Sequence, residues 1–127
     1  MKKAAVLLIL VALLLLAGVV VIAEAQQPKV YRVGVLVPGE AWYEMVDGIR
    51  GGLKQLGLED GKQINLAIKD WKGEAKAAEI AAKAFEQDKV DVIYAASTNS
   101  TIAARGATAK IPIVFCAGTD PVVVGLV

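Results

Sequence analysis

The chain has 127 residues, 56% of them hydrophobic, with 14 basic and 13 acidic side chains, one cysteine and no histidine. A charge this balanced gives no basic patch for nucleic acid and no polybasic membrane contact. Without histidine, Ser-His-Asp and Cys-His nucleophile systems and imidazole metal sites are unavailable, and one cysteine forms no internal disulfide.

Met1-Lys2-Lys3 is a short basic segment leading into an unbroken apolar run, Ala4 to Ala23. Ala23-Glu24-Ala25 then supplies the small-x-small pattern of a signal-peptidase site, which would make Gln26 the mature start. The run is also long enough to span a bilayer as an uncleaved anchor. Under either reading the remainder is exported, periplasmic or on the outer face of a membrane. No cysteine follows the run to accept a lipid. Residues 1–25 are therefore set apart from residues 26–127, which carry 12 basic and 12 acidic side chains. Those 102 residues suit one small domain with its own core.

From Gln26 the chain alternates strand and helix. Tyr31 to Val37 is a β-rich run closed by Pro38-Gly39, a turn signal. A helix follows, with an apolar stripe at Trp42, Val46, Ile49, Leu53 and Leu56. Gly48, Gly51 and Gly52 weaken that helix, and close packing against a sheet would explain them. Gly57 is the stop signal and Glu59-Asp60-Gly61 a surface turn. Glu40, Glu44 and Asp47 resemble a carboxylate cluster, but acidic residues favour helix N-termini for electrostatic reasons alone.

Ile64 to Trp71 reads as a second strand, and Glu74 to Lys89 as an Ala-rich helix with Ala77, Ile80, Ala81, Ala84 and Phe85 on its apolar face. Val90 to Ala96 is a third, buried strand. It opens into the polar stretch Ser97 to Thr101, a short helix, a fourth strand from Ile111 to Ala117, and a second polar loop, Gly118 to Pro121. Cys116 falls inside that strand and reads as a small buried hydrophobe. Pro121 to Val127 is an apolar tail of the kind found inside a larger architecture, either a docked segment or a truncated element.

Short strand–helix connections predict an α/β fold with a mainly parallel sheet and right-handed crossovers. In such sheets small ligands bind in the crevice beyond the carboxyl ends of the strands. Both polar loops fall at such ends. A helix beginning there offers unpaired N–H groups and a positive dipole end to a carboxylate or phosphate. Gly-x-Gly-x-x-Gly and the phosphate-binding Gly-x-x-x-x-Gly-Lys-Ser/Thr are both absent, so no dinucleotide or nucleoside triphosphate cofactor is expected. No metal is expected either, and the chain does not read as an enzyme.

From Tyr31 to Val127 the chain resembles the first lobe of bacterial ABC-transporter solute-binding proteins, in the group with tryptophan- and tyrosine-type binding proteins. The resemblance is carried by YRVGVLVPG at 31–39, GLKQLG at 52–57 with Glu59-Asp60-Gly61-Lys62, and KVDVI at 89–93. Ile111-Pro-Ile-Val-Phe, Asp120-Pro121 and Gly125-Leu-Val complete it. It implies a three-layer αβα lobe with flavodoxin-like strand order, one of two lobes that close around a ligand. It also implies an ABC permease as partner and a second lobe that this chain does not contain.

Carried over by position, the resemblance turns three loops toward a ligand, with an amino acid the natural solute. The first holds Glu40, Trp42 and Tyr43; Trp42 either stacks on an aromatic solute or belongs to the helix's core stripe. The second holds Ser97, Thr98, Asn99 and Ser100, for a carboxylate, with helix capping by Thr98, Asn99 or Ser100 as the compatible structural role. The third holds Thr119 and Asp120, the latter for an ammonium group. Trp71, at the end of the second strand, is a further candidate with a core or rim position as its alternative. Another reading is a membrane-anchored sensor or interaction module on the same single lobe. A transcription regulator's effector domain is disfavoured, because the leader stands where a DNA-binding element would be.

Overall fold

The computed structural model describes residues 1–25 (side chains for 1–16), 28–116 and 118–127. The expected mature start at Gln26 and the strand end at Ala117 lie outside the described residues. α1 is one continuous helix, Lys2–Ala25. Among the residues whose side chains are described, which in α1 end at Leu16, no helix is long and apolar enough to cross a membrane.

The alternation expected from sequence is present. β1 (Tyr31–Val37) leads through a 3-10 turn (Glu40–Trp42) into α2 (Tyr43–Gln55). Then come β2 (Ile64–Asp70), α3 (Ala75–Gln87), β3 (Val92–Ala96), α4 (Thr98–Ala107) and β4 (Ile113–Cys116). The strands form one parallel sheet in the order β2-β1-β3-β4. The step from β1 to β2 runs opposite to the two later steps. Right-handed crossovers therefore place α2 on one face and α3 and α4 on the other.

The strands divide their side chains accordingly. Leu36, Ile93 and Ala95 face α3 and α4, with Phe85 and Ala104 completing that core. Val35, Val37 and Ala96 face α2 and pack on Val46. Central strands covered on both faces read as continuous apolar runs, which is why β1 and β3 stood out in the sequence. Gly57 ends α2 in the left-handed region at φ 80°. Its N–H donates to the carbonyl of Lys54 and that of Leu58 to the carbonyl of Leu53, the paired bonds of a Schellman motif.

Several sequence expectations need correction. The buried face of α3 is Ala78, Ala82 and Phe85, flanked by half-buried Ala77, Ala81 and Ala84, and Ile80 points to solvent. Close approach to β1 sets this rotation: a Cβ on Gly34 would lie 2.7 Å from the Phe85 ring. In α2 the sheet-packing explanation for the glycines fails, since Gly48, Gly51 and Gly52 each have open space where a Cβ would stand. Leu56 leaves the apolar stripe because it is the C-cap of α2 and is exposed. Cys116 is exposed rather than buried. It lies on edge strand β4, beside exposed Val114 two residues earlier, while the alternate residues Ile113 and Phe115 pack on the α3–α4 core.

Candidate functional site

Leu36 pairs with Ala95, so β1 and β3 end side by side at the centre of the sheet. Their helices leave on opposite faces. This is the topological switch point, where an α/β sheet opens a crevice between diverging loops. Two residues turn the chain out of these strands in nearly the same backbone conformation, Gly39 at φ 150°, ψ 178° and Ser97 at φ 146°, ψ 164°. For glycine this conformation is free. For serine it is strained by about 1–3 kcal/mol and persists only where surrounding contacts enforce it.

Those contacts are explicit. Ser97 is the N-cap of α4, and its Oγ accepts from the N–H of Ser100 at 3.1 Å. The same hydroxyl donates to Ser100 Oγ at 2.9 Å. The Ser97 carbonyl accepts from both the N–H and the hydroxyl of Thr101, at 3.0 and 2.7 Å. Ser100 is fully buried, and its Oγ also accepts from Trp71 Nε1 at 2.9 Å. What read as a polar loop, Ser97 to Thr101, is thus a single cap residue followed by the first turn of α4. The cap is Ser97 and not Thr98, Asn99 or Ser100, because the helix begins immediately after β3.

Hydrogen bonding divides this stretch by role. Ser97, Ser100 and Thr101 are turned inward. The N–H groups of Thr98 and Asn99, in the first turn, have no intrahelical acceptor and meet none among the described residues. Thr98 Oγ1 lies 3.0 Å from Thr119 Oγ1, which joins the loops after β3 and β4. Asp120 Oδ1 accepts from the N–H groups of Val122 and Val123, at 2.9 and 3.4 Å, and so caps the turn through residues 121–125. Its other oxygen has no hydrogen-bond partner among the described residues.

The remaining candidates separate. Trp42 is half-buried and packs with Met45 and Tyr94 on the α2-side core. Trp71 is 5% exposed, with its indole N–H committed to Ser100. Glu40 and Tyr43 are exposed and line a hollow of about 480 Å³ together with Asp70 and Lys72 at the end of β2. The sequence reading passed over Asp70 and Lys72, although their position at a strand's carboxyl end was the available signal. Among the described residues, no group of three or more His, Cys, Asp or Glu is placed to hold a metal.

A family model described as "ABC transporter substrate binding protein" matches residues 31–127. The chain belongs to this family. A tyrosine-binding protein of Clostridioides difficile is 34% identical over 104 residues, covering 82% of this chain and 30% of that protein. The ligand-free, open structure of a substrate-binding protein with adhesive properties from Clostridium difficile is 31% identical, with a TM-score of 0.71 over 77% of this chain and 34% of that one. A conserved domain protein of Vibrio cholerae is 34% identical, with a TM-score of 0.72 over 78% of this chain and 34% of its own. The chain therefore spans about a third of the length of the proteins it matches. The family is one of binding proteins, not of enzymes.

Proposed function

We propose that residues 26–127 act as the first lobe of an extracytoplasmic solute-binding protein. The ligand is a small molecule, an amino acid and aromatic in the first instance, taken up in a cleft between this lobe and a second and handed to an ABC permease. One observation supports the placement of its carboxylate: the N–H groups of Thr98 and Asn99, which meet no acceptor among the described residues, open α4 at the switch point, next to the Thr98–Thr119 hydroxyl pair. A carboxylate there gains charge-assisted hydrogen bonds and the positive end of the helix dipole. The tyrosine named for the relative offers such a carboxylate, an ammonium group and a ring. The Asp120 oxygen with no partner among the described residues is the acceptor for the ammonium group, and exposed Tyr43, with Glu40, is the wall available to the ring. Trp42 and Trp71, held in the core, contribute support and not direct contact. Lobe closure about a hinge would exclude water and raise affinity.

Export is part of the same reading. Residues 1–25 serve as a leader cleaved after Ala25, so mass spectrometry of the exported protein should give an amino terminus at Gln26. Recovery only in membranes with Met1 retained would replace cleavage by anchoring.

Binding is tested by titrating L-tyrosine and following amide NMR shifts, with tyramine, which lacks the carboxylate, as the control. L-tyrosine should move the Thr98 and Asn99 signals, and tyramine should leave them in place. Asn99→Pro removes one donor at a place in the first turn where proline is accepted. It should weaken binding by about 1.5–3 kcal/mol, the contribution of a hydrogen bond to a charged group. Equal effects of L-tyrosine and tyramine on these amides would overturn the placement.

A further inference from the structure

Trp71 follows an edge strand, yet its side chain ends at a helix that begins after β3. The sheet order places β1 between β2 and β3. Neighbouring strands lie about 4.8 Å apart, so this reach is on the order of 10 Å. The backbone beneath the indole is fixed on both sides: the Trp71 N–H donates to Val37 O at 3.0 Å, and the Trp71 carbonyl accepts from the Glu74 N–H at 2.9 Å. Its ring belongs to the apolar core with Leu36, Ala78 and Ile93.

The receiving end is a network and not a lone acceptor. Ser100 Oγ takes the indole N–H and the Ser97 hydroxyl together, and Ser97 returns the cap to Ser100 N–H. Because an indole nitrogen only donates, the bond fixes Ser100 as an acceptor. Ser97 is thereby oriented to hold its strained backbone and to present the next two N–H groups outward. We propose that Trp71 is a positioning residue for the ligand site: acting through Ser100 and Ser97, it fixes the start of α4 so that the Thr98 and Asn99 N–H groups are preset for a carboxylate. This inference rests on the proposed binding role of that helix start. Presetting matters because groups held in place before binding lose less freedom when the ligand arrives.

The test uses this lobe together with the second lobe that completes the cleft, with L-tyrosine as probe, and follows backbone amide and indole NMR signals. Trp71→Phe keeps most of the ring packing and removes the donor. Without probe, it should shift the Thr98 and Asn99 amides while leaving those of β1 near wild type. With probe, it should weaken binding on the order of fivefold, the effect of one hydrogen bond. Ser100→Ala should weaken binding comparably, and the double variant should be no weaker than the worse single, since both break one connection. A purely structural role would instead lower stability and leave the affinity of the folded fraction unchanged, which would overturn the proposal. Wild-type protein whose Thr98 and Asn99 amides ignore L-tyrosine would remove the binding reading itself, a different failure. If Trp71→Phe did not fold, Ser100→Ala alone would decide: unchanged affinity refutes positioning, and a loss accompanied by a shifted Trp71 indole signal supports it.

Discussion

Ser97 gives the sharpest test of how the start of α4 is held. At φ 146° and ψ 164° it occupies backbone space that is essentially reserved for glycine, at a cost of about 1–3 kcal/mol. Its side chain offsets that cost with a helix cap and a bond to Ser100. Ser97→Ala keeps the strain and loses both, about 1 kcal/mol for the cap and about 1 kcal/mol for the hydroxyl bond. A loss near 2 kcal/mol is therefore expected. Ser97→Gly releases the strain and, as a cap, gives up only a few tenths of a kcal/mol. It also loses the hydroxyl bond and about 0.4–1 kcal/mol to a more flexible unfolded chain. These terms nearly cancel, so glycine should sit close to wild type and above alanine by about 1–2 kcal/mol. In an ordinary helix interior the order is reversed, with alanine better by about 1 kcal/mol. Urea unfolding followed by far-UV circular dichroism measures both variants. Alanine equal to or more stable than glycine would refute the strained-cap account.

Other consequences are simpler. Gly51→Ala and Gly52→Ala meet open space in α2 and should each raise unfolding stability by up to about 1 kcal/mol, a gain that thermal denaturation would register. Gly34→Ala drives a methyl to 2.7 Å from Phe85 and should destabilise by about 1–3 kcal/mol; stability at wild-type level would mean that α3 does not pack as closely as the structure shows. At the amino-terminal ends of the central strands β1 and β3, the Lys29 ammonium and then the Arg32 N–H hold Asp91 below its ordinary value of 3.8. A lowered carboxylate contributes stability that is present above its unfolded value and lost as pH falls through the folded one. Asp91→Asn should therefore lower the melting temperature at neutral pH and leave the acid end of the profile, where the wild-type carboxyl is itself protonated, least affected, so that the acid limb flattens.

The order of elements was legible because each carries its own local signal. β1 and β3 are buried on both faces and appear as apolar runs, and the Gly57 stop appears as a left-handed glycine. The rotation of α3 was not legible. Alanine recurs around that helix at 75, 77, 78, 81, 82 and 84, so several stripes look equally apolar. The choice is made by Phe85 lying against Gly34, a contact between residues 51 positions apart in the chain. The exposure of Cys116 was hidden for a related reason. A four-residue strand has the composition of a buried one, and only the packing shows that Ile113 and Phe115 take the face toward the α3–α4 core and leave Val114 and Cys116 on the other.

The site was legible as a region and not as a division of labour. Ser97 to Thr101 contains five small polar residues, any of which satisfies the composition of a cap or of a ligand loop. What separates them is where β3 ends. Because Ala96 is the last strand residue, Ser97 must make the turn, and helical geometry then points Ser100 and Thr101 inward and leaves the N–H groups of Thr98 and Asn99 without an intrahelical acceptor. One residue more of strand would have moved the cap to Thr98 and turned a different pair of N–H groups toward the crevice. The fourth member of the network, Trp71, comes from a segment 29 residues before Ser100, so no local pattern could have joined them. A hydrogen-bonded scaffold beneath the exposed donors is what a binding site on a helix start requires, because hydroxyls that were free to rotate would let the first turn fray. The inward hydroxyls therefore serve the site without touching the ligand.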